Sequence, residues 1–131
     1  LKTVVAAILE HEGKILIARR GPDDRLAGNW EFPGGTQEAD ETPEACLRRE
    51  MREEFAIDIA VGAFLGASVY HYDHGAIRLL AYRANWIEGQ LQCLVHDAYA
   101  WVAVTDLQHY TFSPADVPFV RGLLQGEIIV T

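Results

Sequence analysis

A chain of 131 residues suits one domain, spanning 1–131, and leaves little room for a second. Half of it is hydrophobic and 23% is charged, the proportions of an ordinary globular domain. Its 19 acidic and 11 basic residues give a net charge of −8, which argues against a nucleic-acid partner but not against a phosphorylated small molecule bridged by a divalent cation.

No run approaches the roughly 18 apolar residues of a membrane span. The opening LKTVVAAILEHEG lacks a signal-peptide cleavage pattern, so the expectation is a soluble, cytoplasmic protein with no membrane partner. Cys46 and Cys93, far apart and in no CxxC pair, read as reduced packing residues.

In chain order, Thr3 to Leu9 (TVVAAIL) and Lys14 to Arg19 (KILIAR) read as strands joined by a Gly-containing hairpin connection. His11, in that connection, reads as a solvated hairpin residue. Gly21 to Gly35 is rich in Gly, Pro, Asp and Asn and reads as loop, with a short strand at Trp30-Glu31-Phe32. Gly34-Gly35 then reads as a turn that permits left-handed dihedrals and close backbone approach. From Pro43 to about Phe55 the pattern is helical. Thr42 suits the N-cap, Pro43 suits the first helical position, and Leu47, Met51 and Phe55 share one stripe. Val61 to Tyr72 and Ala76 to Trp86 read as strands joined by a hairpin at Asp73-His74-Gly75. Tyr99 to Val104 is a further strand, and Thr105 to Tyr110 and Pro114 to Leu124 are short helices. The sum is a mixed α/β domain with a largely hairpin-built sheet and helices packed on it.

The first helix carries the chemistry. Glu50, Glu53 and Glu54, at i, i+3 and i+4, share one face, where like charges repel by a few tenths of a kcal/mol. Clustered carboxylates suit a hard cation such as Mg²⁺, and the Gly34 carbonyl is a further candidate oxygen. Helix spacing alone favours a solvated acidic face balanced by nearby arginines.

The wider spacing goes further. Gly35, five residues, Glu41, seven residues, then Arg49-Glu50-Met51-Arg52-Glu53-Glu54-Phe55-Ala56-Ile57 closely resembles the signature of the Nudix hydrolases, departing only at Ala56. The preceding LAGNWEFPGG and the later SPADVP resemble the MutT branch, so the resemblance covers almost the whole chain. It implies a Nudix fold, an α/β/α sandwich around a mixed sheet. The implied activity is Mg²⁺-dependent hydrolysis, with Mn²⁺ as an alternative, of a nucleoside triphosphate to monophosphate and pyrophosphate. The implied metal ligands are Gly34, Glu50, Glu53 and Glu54, with Glu50 also the candidate base toward water. Arg49 resembles the arginine that orients these glutamates, and Gly35 and Glu41 the residues that support the turn and helix.

Arg20 resembles a substrate-phosphate contact, or is an exposed strand-end arginine. Asp116 resembles the branch's base-reading residue, or caps the helix after Pro114. If ionised, it only accepts hydrogen bonds and seeks N–H donors such as the cytosine amino group. Trp30, Phe32, Tyr82 and Trp101 read as core or pocket-wall aromatics. His71, Asp73 and His74 fit a second metal site less well than a solvated turn.

Several positions depart from the pattern. Ala56 stands for a glycine at a left-handed helix end, at a cost of about 1 kcal/mol, or the helix ends differently. Thr36 stands where relatives commonly have Lys, and Asp40 where many have Gly. Val95, six residues before Trp101, stands where the branch often has a further metal-binding glutamate, with His96 or Asp97 able to move in. The substrate classes implied are pyrimidine triphosphates and oxidised purines such as 8-oxo-dGTP, with the former, or an enzyme handling both, favoured. The alternative is a non-catalytic nucleotide-sensing Nudix domain. Monomer and homodimer both remain open.

Overall fold

The computed structural model describes residues 1–128. Seven strands form one mixed sheet: β1 (Lys2–His11), β2 (Lys14–Arg19), β3 (Trp30–Glu31), β4 (Gly34–Thr36), β5 (Asp58–Tyr72), β6 (Gly75–Glu88) and β7 (Ala98–Val102). Helix α1 (Pro43–Phe55) separates β4 from β5, and α2 (Val117–Leu124) follows two 3₁₀ turns, Val104–His109 and Pro114–Asp116. β1 runs parallel to β6 on one edge and antiparallel to β4 on the other. β2 meets β1 only at Glu10↔Ile15 and His11↔Lys14, and pairs along its length with β7.

The apolar continuity of TVVAAIL has a direct cause. Side chains alternate across a strand, and a strand covered on both faces needs apolar residues at every position. Val5, Ala7 and Leu9 pack with Leu47, Met51 and Phe55 of α1, while Ala6 and Ile8 pack with Phe119, Val120 and Leu123 of α2. β2 divides in the same way, Leu16 and Ala18 towards α1 and Ile15 and Ile17 towards α2. The result is an α/β/α sandwich.

Helix α1 begins as its sequence predicts: Thr42 Oγ1 accepts the Ala45 N–H at 3.1 Å, and Pro43 occupies the first turn. At its other end Ala56 keeps the left-handed conformation that glycine would take without strain, with φ +59° and ψ +30°. Segment 89–97 then folds over this end. The N–H groups of Gln92 and Leu94 donate to the carbonyls of Phe55 and Glu54 at 2.9 and 3.0 Å, satisfying groups a helix terminus leaves open.

Three expectations need correction. Gly34-Gly35 is not a turn but part of strand β4, and neither residue has positive φ. Its glycines serve close approach, since a Cβ on Gly34 would overlap the Val5 carbonyl. The helix expected over 105–110 is a 3₁₀ turn, and the one over 114–124 is α-helical only from Val117. His11 is not simply solvated: its ring lies 5.1 Å from that of Trp86 and 5.8 Å from that of Trp101, because the hairpin folds it back onto two large apolar faces. Cys46 is buried and Cys93 half-buried, both free. Among the described residues no helix is long and apolar enough to cross a membrane.

Candidate active site

Arg49 organises the glutamate face of α1. Its guanidinium grips Glu41 with two N–H groups, Nε at 3.0 Å and Nη2 at 2.6 Å, while Nη1 reaches Glu50 at 2.9 Å and Glu53 at 3.2 Å. Nη2 also donates to the Thr36 carbonyl, tying the helix to β4. The hydrogen bonds from Arg49 hold the Glu41 carboxyl at about 2, well below its usual 4.5. The like-charge repulsion at Glu50 and Glu53 is thus offset within the chain, by one fixed cation.

Glu54 escapes this arginine and turns inward. Burial, then the charges of Glu31 and Glu50, push its carboxyl up to about 9, and its Oε1 is buried without a hydrogen-bond partner. Burial also raises Glu50. Gly35 is required here by space rather than by backbone dihedrals: a Cβ on it would fall inside the Glu50 carboxylate.

Glu54 lines a cleft of about 680 Å³, a volume within the range of small-molecule sites. Gly34, Arg20, Glu31, His96 and Asp116 also line it, above an apolar floor of Phe32, Ile77 and Leu79. Asp116 is 6% exposed and does not cap α2; its Oδ1 instead accepts the Phe32 N–H at 3.1 Å. Burial, reinforced by Glu31, pushes its carboxyl well above the usual range, which favours the neutral form more than in a free carboxyl. Arg20 is no free strand-end arginine. Its Nε donates to the Arg25 carbonyl at 2.7 Å and its Nη1 to Glu31 Oε1 at 2.8 Å.

Val95 sits at the cleft edge, 58% exposed. Of the two residues that follow it, Asp97 pairs with Arg19 at 2.7 Å, while His96 turns into the cleft and meets Glu31 Oε2 at 2.8 Å. Residues 73–75 form the expected hairpin; His74 stacks on Tyr72 and lines the cleft, a role its loop position did not signal.

The sequence model of the NUDIX domain matches residues 4–122. The chain belongs to the Nudix family. It is 37% identical over 121 residues to the CTP pyrophosphohydrolase of Escherichia coli K12, covering 92% of this chain and 90% of that protein. It is 29% identical to the 8-oxo-dGTP diphosphatase of the same organism, covering 94% and 95%. The solution structure of the E. coli ORF135 protein superposes with a TM-score of 0.85 at 35% identity, covering 96% of this chain and 90% of that one. The MutT protein of Methanosarcina mazei Go1 has the same fold, with a TM-score of 0.86 at 22% identity and 98% and 96% covered. The protein is therefore an enzyme, a Nudix hydrolase, rather than a sensing domain alone.

Nudix hydrolases generally use a divalent metal. Among the described residues no group of three or more His, Cys, Asp or Glu side chains is arranged to hold an ion, since Glu50 and Glu53 are turned to Arg49. Two features nevertheless fit a hard cation here: the orphaned Glu54 Oε1, and the space that Gly35 leaves for the Glu50 carboxylate. Glu31 is the residue that sequence reading missed. Read only as part of a short strand, it is 16% exposed at its side chain and joins Arg20 to His96. A charged residue between Trp30 and Phe32 in so short a strand was the available signal.

Proposed function

We propose that this Nudix hydrolase cleaves nucleoside triphosphates to nucleoside monophosphate and pyrophosphate, using Mg²⁺ or, in its place, Mn²⁺, on pyrimidine or oxidised nucleotides. The observation that carries the proposal is one cleft lined both by Glu54 of α1 and by the buried Asp116. The names of the relatives, one acting on CTP and another on 8-oxo-dGTP, support both substrate classes.

Glu50, Glu53, Glu54 and the Gly34 carbonyl would hold the cation. When bound it supplies charge neutralisation along the polyphosphate and polarises the phosphorus under attack. Everything else rests with the chain. Arg49 keeps Glu50 and Glu53 on one side of the helix. Glu50 takes a proton from water as its oxygen bonds to phosphorus, and the bridging P–O bond breaks to release pyrophosphate. The Arg20 guanidinium, already held at two of its nitrogens, offers its remaining donors to phosphate oxygens.

Asp116 reads the base. A neutral carboxyl both donates and accepts, so it matches the adjacent amino group and ring nitrogen of cytosine. It equally matches the carbonyl and ring N–H of an oxidised guanine. That dual match favours one enzyme handling both classes. A net charge of −8 supports a small nucleotide over nucleic acid as partner.

The test is incubation with Mg²⁺ and a panel of normal, methylated and oxidised nucleoside triphosphates, with products resolved by chromatography beside Glu53→Gln. Monophosphate and pyrophosphate from cytosine or oxidised-guanine substrates are expected, reduced about a hundredfold or more in the variant. Turnover of none of these triphosphates, or an undiminished rate in Glu53→Gln, would reject the proposal.

A further inference from the structure

Glu31 lies between two cationic or donor groups that approach from opposite sides. One oxygen accepts from Arg20 Nη1 at 2.8 Å, and the other meets His96 Nε2 at 2.8 Å. Against a carboxylate, which only accepts, Nε2 is the donor nitrogen of the imidazole. The ring itself cannot drift. It stacks on Phe55 at a centroid distance of 5.5 Å and an interplanar angle of 15°, and its side chain is 4% exposed. Its backbone segment is anchored to the end of α1 through Gln92 and Leu94, and to β2 through the Asp97 N–H and the Arg19 carbonyl at 3.0 Å.

From this chain of contacts we infer that His96 is a positioning residue for the phosphate end of the substrate, fixing Glu31 and, through it, the guanidinium of Arg20. The inference rests on the reading of Arg20 as a phosphate contact. A carboxylate held by Arg20 alone keeps its other oxygen free to rotate, and the guanidinium turns with it. With His96 in place both oxygens are engaged, and the donors that Arg20 has left over keep one direction. The neighbour of Val95 thus contributes alignment rather than charge. It also links the end of α1, which carries the glutamates, to the end of β2, which Arg20 directly follows. His96 touches neither substrate nor reacting atoms in this scheme, so its loss weakens binding of the triphosphate and leaves the chemical step nearly as fast.

The experiment measures kcat and KM for the best triphosphate of the panel in wild type, Arg20→Ala, His96→Ala and the double variant. Melting curves accompany each protein. Two further variants keep the test decisive if His96→Ala fails to fold. His96→Phe retains the stack on Phe55 but has no donor, and His96→Gln retains a donor.

The expected result is a KM raised about tenfold in His96→Ala and His96→Phe, the scale of one hydrogen bond to a charged group, with kcat within about twofold of wild type. His96→Gln recovers most of the loss. In the Arg20→Ala background, removal of His96 adds less than about twofold, because the group it positions is gone. An unchanged KM in His96→Phe overturns the inference, as does a fully additive double variant or a collapse of kcat at constant KM. If Arg20→Ala leaves KM unchanged, the phosphate-contact reading fails on its own evidence, separately from any effect of His96.

Discussion

Two parts of the site, the glutamate end of α1 and the assembled end around Glu31 and Asp116, are built in opposite ways. At the glutamate end, Arg49, Glu50, Glu53 and Glu54 come from little more than one turn of α1, and helix periodicity alone makes them neighbours. At the other, Glu31 and His96 are 65 residues apart and Phe32 and Asp116 are 84 apart. Only sheet pairing and the closing of segment 89–97 bring them together. Their charge arithmetic differs too. Arg49 offsets its neighbours with one charge, whereas burial raises the Asp116 carboxyl and Glu31 is shared by two partners. A local constellation forms wherever the helix forms; an assembled one depends on partners that only packing supplies.

If that contrast is right, the largest effect comes from removing the single cation of the helical end. Arg49→Ala releases Glu41, Glu50 and Glu53 together, and kcat is expected to fall about ten- to a hundredfold. The same variant carries a pH signature. The Glu41 carboxyl is held at about 2 against its usual 4.5, so its contribution to stability is present above 4.5 and is lost as pH falls towards 2. Thermal melts across that window should be shallower in pH for Arg49→Ala than for wild type. Equal slopes would mean that Arg49 does not organise this end.

Asp116→Asn probes the assembled end. Its folded value lies above the usual 3.8, so its neutral form favours the fold at low pH and the stability of wild type declines as pH rises above that value. The variant cannot ionise, and the gap in melting temperature in its favour should widen from pH 4 to pH 8. Its amide keeps one donor and one acceptor in a fixed order, so the ratio of cytosine to oxidised-guanine turnover should shift about tenfold. A constant gap across pH would show that Asp116 is ionised in the folded protein.

The smallest effect belongs to the junction between the two ends. Ala56→Gly relieves a left-handed residue at the end of α1 and should stabilise by about 1 kcal/mol, a rise of a few degrees in melting temperature. Activity should hold, since segment 89–97 already fixes the neighbouring carbonyls. A drop in stability would mean that the added backbone freedom of glycine outweighs the strain.

How far each part could be read in advance follows from the same contrast. The boundaries of α1, its cap at Thr42 and its buried stripe were legible because capping and 3.6-residue periodicity are local. Strands β5 and β6 and their turn were legible for the same reason. Gly34-Gly35 was misread as a turn because glycine serves both turns and close approach, and only the backbone of Val5 decides between them. The cap expected of Asp116 is absent because its partner, the Phe32 N–H, lies on another element, and its burial is equally invisible in the sequence. Glu31 passed unnoticed: neither of its partners is a sequence neighbour.

By itself, then, the sequence determined which glutamates share a helical face, through their spacing, and the family, through a signature whose resemblance implied the sandwich of helices on a mixed sheet. Tertiary structure alone decided which carboxyls burial raises, where Arg20 points, and that His96 rather than Asp97 turns inward beside Val95. The physical reason is that protonation and orientation depend on desolvation and on hydrogen-bond partners, which exist only once distant segments have packed.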